Sequence, residues 1–145
     1  MAPKPTKEKH LEDLQIGQEA VFTKTISESD IYLFAGITGD FNAIHVDESY
    51  ARETPFGRRI AHGFLIASLV QHCTSELTTP GGVSLNYNFD MKAPVFIGDT
   101  ITARAKVIQK RKDKPIVTCE ISCVKQDGTV CIQGTALIYM VSDKK

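Results

Sequence analysis

An aspartate, an asparagine and a histidine lie close together in a mostly apolar stretch, Gly39-Asp40-Phe41-Asn42-Ala43-Ile44-His45-Val46-Asp47. A carboxylate and an imidazole in such a setting suit proton transfer, because burial and neighbouring groups can tune both for acid–base work near neutral pH. The spacing does not by itself make a pair. On an ideal helix Asp40 and His45 would point about 140° apart, and on a strand they would face opposite sides. They converge only if the chain bends between them, which Gly39 and Asn42 permit. A capping Asp40 and a core His45 are the blander alternative, and residue types alone leave both readings open. Asn42 reads as a loop organiser. Downstream, His62 and Gly63 precede a strongly apolar run. Gly63 then stands where a helix begins and its backbone N–H groups lack partners. A glycine there admits a close approach by a ligand, or merely fits a tight helix start. A metal site built from His45, Asp47 and His62 matches no recognised ligand spacing, so none is expected.

These groups need elements to hold them. Phe64 to about Leu77 reads as a helix, apolar almost all round through Val70 and amphipathic from Gln71. Thr78-Thr79-Pro80-Gly81-Gly82 stops it. Period two follows: Val83, Leu85, Tyr87, Phe89 and Met91, then Ile101, Ala103, Ala105 and Val107, then Val117, Cys119, Ile121 and Cys123. Each set predicts a strand with one face on the core. Asp127-Gly128 predicts a hairpin into a last strand over 129–141, and residues 111–115 a further turn. A first strand around Ala20 to Ile26 is weaker. Ser27 and Asp30 form a capping box for a helix before the Asp40 loop. A helix apolar on most sides must be covered on most sides. A curved antiparallel sheet wrapped around it does that, giving an α+β fold; a flat sheet with the helix laid across it is the runner-up.

The 145 residues suit one domain, with 1–10 a mobile N-terminal tail containing an inert His10 and 11–145 the folded unit. Seventeen basic and 17 acidic residues cancel, which argues against nucleic acid or an anionic membrane as partner. No apolar run is long enough to span a bilayer, and the N-terminus lacks a secretory h-region. Cys73, Cys119, Cys123 and Cys131 contain no Cys-x-x-Cys pair and read as buried, reduced thiols in a cytoplasmic protein.

Gly39 to Asp47, followed by Arg59-Ile60-Ala61-His62-Gly63-Phe64-Leu65-Ile66-Ala67-Ser68-Leu69 and by Ala93-Pro94-Val95-Phe96-Ile97-Gly98-Asp99, resembles the MaoC-like, R-specific enoyl-CoA hydratases. The similarity runs from about Leu11 to Val141. One departure is Ala43, where the family commonly has proline. The resemblance implies a single hot-dog fold with a helical overhang before the central helix. It implies hydration of a trans-2-enoyl-CoA to an (R)-3-hydroxyacyl-CoA, or the reverse dehydration. Asp40 matches the catalytic aspartate that takes a proton from water. His45 matches the histidine that holds the water and supplies a proton to the α-carbon. The Gly63 N–H matches the oxyanion donor. Asn42, Ser68 and His62 are supporting residues. Ser68 either bonds near Asp40 or back-bonds to its helix, and His62 braces the helix start. No cofactor is implied, coenzyme A being part of the substrate, and the partner is a second copy in a homodimer. Arg104, Lys106, Lys110, Arg111, Lys112 and Lys114 could meet coenzyme A phosphates, with a solvated strand face as the default. Two rivals share the fold. An acyl-CoA thioesterase wants an acid on the central helix, which offers only Glu76. A non-catalytic acyl-thioester-binding module has no use for Asp40.

Overall fold

The structure, a computed structural model, describes residues 7–143; the first six residues of the expected tail lie outside them. The alternating segments form five strands, β1 (Glu19–Thr25), β2 (Gly82–Met91), β3 (Thr100–Lys110), β4 (Ile116–Lys125) and β5 (Val130–Met140). They make one antiparallel sheet in the order β1-β3-β4-β5-β2. Period two is strict where burial is strict: Ile101, Ala103, Ala105 and Val107 on β3, and Val117, Cys119, Ile121 and Cys123 on β4, are all fully buried. The β4–β5 connection turns at Gly128, whose φ of 87° is the left-handed conformation expected at Asp127-Gly128.

The central helix begins one residue before Phe64 and is interrupted once, as α4 (Gly63–Ser68) and α5 (Val70–Thr78). At the join Leu69 keeps helical φ and ψ, but its N–H bonds Ile66 O, a tighter i→i+3 link. Leu65, Ile66, Ala67, Val70, Cys73 and Leu77 pack on the concave face of the sheet. Two thiols tie the layers: Cys73 Sγ donates to Ala103 O and Cys123 Sγ to Ile66 O, each at 3.4 Å. All four cysteines are unpaired and buried, and burial pushes the thiols of Cys119 and Cys123 up to about 11 and about 12.

Two expectations need correction. The first half of the central helix is not covered all round: Phe64 is 66% exposed, and Ser68, Gln71 and Ser75 continue an open stripe at helical spacing. β2 does not bury one face either, since Val83, Leu85 and Met91 are each about half exposed. The cause is common to both. β2 is the last strand of the sheet, its register slips between Ser84 and Asn86, and the sheet stops before closing over that side of the helix.

Between β1 and α4 lie α1 (Glu28–Thr38), α2 (Ala43–Val46) and α3 (Glu48–Arg52). The Ser27–Asp30 capping box starts α1 as expected, Asp30 N–H donating to Ser27 Oγ and Ser27 N–H to Asp30 Oδ2. At the N-terminal side, the described end of the expected tail is held: Lys9 N–H donates to Pro80 O, and His10 Nδ1 lies 3.2 Å from Asp143 Oδ1. No described helix is long and apolar enough to cross a membrane.

Candidate active site

Helix α1 ends because Gly39 takes φ 78°, a left-handed cap that an L side chain resists. The chain then turns sharply. Asn42 N–H donates to Asp40 Oδ1 at 3.1 Å, and Asn42 Oδ1 accepts from Ile44 N–H, capping α2. This bend brings Asp40 and His45 together, so the loop geometry that the pair requires is present. His45 Nε2 and Asp40 Oδ2 are 3.8 Å apart. Asn42 is thus a loop organiser that also holds the carboxylate.

The two groups differ in exposure: the His45 side chain is 11% accessible and that of Asp40 50%. Burial pushes the His45 pKa below its ordinary value, reinforced by His62; the Ile60 carbonyl and Asp40 oppose it only in part. Burial thus favours the neutral imidazole. Its Nδ1 lies 2.8 Å from Ile60 O, and a carbonyl can only accept, so Nδ1 carries the proton. In its neutral form the ring turns a lone pair, not a proton, towards Asp40. The expectation that His45 gives a proton on that side does not fit this tautomer.

His62 precedes α4 and is 2% exposed. Its Nε2–H donates to the Asp40 carbonyl at 2.9 Å, and its ring stacks on His45 with centroids 3.9 Å apart. Beyond bracing the helix start, it pins the backbone of Asp40 against His45. Donor atoms of Asp40, His45 and His62 lie within 4.8 Å of one another. Near-parallel rings, 29° between planes, send their in-plane lone pairs side by side rather than to one point, which suits a metal poorly. Asp47, the third residue of the unexpected metal set, instead caps α3 through Tyr50 N–H.

Gly63 opens α4. A Cβ built there would fall 2.3 Å from Met91 Sδ, so any side chain would push aside the flexible end of the half-exposed Met91. Two cavities meet at this point. One of about 200 Å³ is bounded by Phe34, Thr38, Asp40, His45, His62 and Gly63. The other, about 470 Å³ and mostly apolar, lies against His45, Ile60, Gly63, Ile66, Met91 and Val95. His45, Gly63 and Phe64 line both. Ser68 is elsewhere: its Oγ donates to Leu65 O at 2.6 Å, so it back-bonds, and it borders a separate groove of about 160 Å³ beside Tyr87 and Phe89.

Glu76, the only acid on the central helix, is exposed and pairs with His72 at 3.5 Å, away from both cavities. Of the basic residues considered for phosphate, Arg104 pairs with Glu19, Arg111 with Asp113, and Lys110 donates to Leu14 O. Sequence reasoning missed the Ile60 carbonyl that sets the His45 tautomer and the Met91 side chain that covers Gly63. The carbonyl is a backbone group that no residue type announces, and Met91 fits the alternation of β2 as one more core position.

A family model described as MaoC like domain matches residues 13–127. The chain is 45% identical over 132 residues to a Rhodospirillum rubrum (R)-specific enoyl-CoA hydratase, covering 90% of this chain and 91% of that one. It is 37% identical to a Methylorubrum extorquens 3-hydroxybutyryl-CoA dehydratase, covering 89% and 82% of the two chains. Among solved structures, an (R)-hydratase from Aeromonas caviae superposes with a TM-score of 0.86 at 35% identity, over 89% of this chain and 98% of that one; the fold is the hot dog.

Proposed function

The chain belongs to the MaoC-like domain family, and from that premise we propose that it adds water to a trans-2-enoyl-CoA to give the (R)-3-hydroxyacyl-CoA, and catalyses the reverse dehydration. The observation that carries this reading is the Asp40–His45 pair, 3.8 Å apart, beside the first N–H of α4 at the junction of two cavities.

A thioester lying across that junction sets its carbonyl at Gly63 N–H and its double bond beside the pair. One water donates hydrogen bonds to a carboxylate oxygen, Asp40 Oδ2, and to the lone pair on Nε2 of the neutral His45 ring. Its oxygen attacks the β-carbon while Asp40 takes its proton. The electron pair of the double bond moves towards the thioester oxygen, where Gly63 N–H stabilises the growing negative charge more than it stabilises the ground state. The proton on Asp40 then passes to the α-carbon, so both additions come from one side and the carboxylate is regenerated. His45 orients the water. Asn42 and His62 hold the carboxylate and the backbone of Asp40 in register. No cofactor enters this scheme; coenzyme A arrives as part of the substrate.

The working unit is a homodimer of residues 11–145. Support comes from β2, an edge strand whose outer side has no partner strand among the described residues and whose Val83, Leu85 and Met91 are exposed. An apolar unpaired edge of this kind is stable when a second copy pairs with it. Four unpaired buried thiols fit a reducing cytoplasm.

The test follows crotonyl-CoA by loss of enoyl absorbance with free-thiol release monitored in parallel, and assays the product with dehydrogenases specific for each 3-hydroxy configuration. Absorbance loss without thiol, giving only (R) product, is the expected result. Thiol release would mean a thioesterase, and tight binding without turnover on short and longer enoyl-CoAs a binding module; either contradicts the proposal.

A further inference from the structure

We propose that Arg59, which touches neither cavity, is a positioning residue that holds His45 in its Nδ1–H tautomer against Asp40. Its kinetic consequence rests on the hydratase reading above; its structural consequence does not.

The guanidinium is 12% exposed and reaches two helices at once. Nη2 donates to Glu28 Oε1 at 2.7 Å and Nη1 to Tyr32 Oη at 3.2 Å, both on α1, while Nε donates to Glu48 Oε2 at 3.1 Å on α3. Tyr32 closes the ring by donating to Glu28. One planar cation thus joins the helix whose end carries Asp40 to the helix that directly follows His45. A lysine cannot copy that three-way fork.

The four residues after Arg59 show what the clamp fixes. Ile60 N–H donates to Ile44 O and Ile60 O accepts His45 Nδ1–H. Ala61 N–H donates to Val95 O, and His62 Nε2–H to Asp40 O. Gly63 follows as the first residue of α4. This strap therefore touches both members of the pair, and Arg59 is the charged side chain that fastens it to α1 and α3. The neighbouring Arg58 does something else, lying 4.0 Å over the Phe96 ring. A neutral imidazole in water prefers its proton on Nε2. Only the Ile60 carbonyl holds it on Nδ1 here, so a strap released from the clamp lets His45 put a proton on the atom that must accept from water.

The test compares wild type, Arg59→Gln, Arg59→Lys and the double variant Glu28→Gln/Glu48→Gln. Imidazole 15N shifts report the His45 tautomer, and crotonyl-CoA hydration reports kcat and KM. Arg59→Gln is expected to populate the Nε2–H form and to lower kcat about tenfold or more, with KM changed less than about threefold. Arg59→Lys recovers part of both effects. A folded Arg59→Gln that keeps the Nδ1–H tautomer and wild-type kcat overturns the proposal. If Arg59→Gln does not fold, the double variant, altered only at part-exposed carboxylates, decides by the same two readouts. If wild type shows no hydration, the functional reading fails, and the tautomer comparison alone upholds or overturns the role of Arg59.

Discussion

At the scale of single residues, the proposed mechanism depends on two adjacent groups having different surroundings. Asp40 stands at an opening and His45 is buried, so the first stays hydrated while the second is kept neutral. The sign of the pH dependence follows. In the proposed mechanism protonating His45 removes the lone pair that receives the water, and burial pushes its pKa below the ordinary imidazole value of 6.5. Activity is therefore expected to fall as pH drops through the His45 pKa, which places the His45 contribution to the acid limb of kcat/KM below 6.5. Stability tracks the same group: the unfolded chain binds the proton more readily, so the free energy of unfolding rises with pH through this window and levels off above it. Urea melts across pH 5 to 8 check the second trend; a stability that falls as pH rises through 6 would contradict it. Gly63 separates packing from chemistry. Gly63→Ala forces Met91 aside and is expected to lower kcat/KM about tenfold or more. Adding Met91→Ala makes room for the methyl group but leaves it facing the thioester, so activity stays low. Recovery to wild-type rates would reduce Gly63 to a packing residue.

At the scale of elements, the short helix α2 sets the angle between the pair, and it begins at Ala43, its first residue. Proline is favoured at that position because its fixed φ is helical and no intrahelical N–H is lost. Asn42 before it has ψ 132°, the extended conformation a following proline requires. Ala43→Pro is thus expected to raise stability by about 0.4–1 kcal/mol through the unfolded chain, measured by urea denaturation; a loss of stability would show that the loop is held differently. The sequence made the strands β3 and β4 legible, because each has one face wholly buried and alternation survives. It made the α1 cap legible, because capping boxes are local. The exposure of β2 was not legible, since its alternation of Val83, Leu85, Tyr87, Phe89 and Met91 is that of a core strand, and only sheet order reveals an edge. The Asp40–His45 pairing was half legible. Gly39 and Asn42 allowed a bend, but the bend depends on the left-handed φ of one and the side-chain bonds of the other. The His45 tautomer depends on a carbonyl fifteen positions on and could not be read at all.

At the scale of the whole molecule, the sheet leaves one side of the central helix open. Phe64, Val83, Leu85 and Met91 are exposed on or near it, and two of them line the larger cavity. A second copy pairing along β2 would cover this edge. Leu85→Lys places a charge on the exposed edge and is expected to halve the mass seen by sedimentation velocity at micromolar concentration. A mass unchanged by Leu85→Lys, or a wild type already monomeric, would put the interface elsewhere or remove it. Overall charge plays little part in this picture, as basic and acidic residues balance.

The central claim is that Asp40 takes and returns the proton of the added water, and the most direct measurement is crotonyl-CoA hydration by Asp40→Asn beside wild type. The exchange keeps the size of the side chain and an oxygen to accept from Asn42 N–H, so the fold, checked by circular dichroism, is expected to persist. The account predicts a kcat lower by about 10²–10⁴-fold with little change in KM. A folded Asp40→Asn that hydrates crotonyl-CoA at the wild-type rate would contradict it and leave the loop a structural feature.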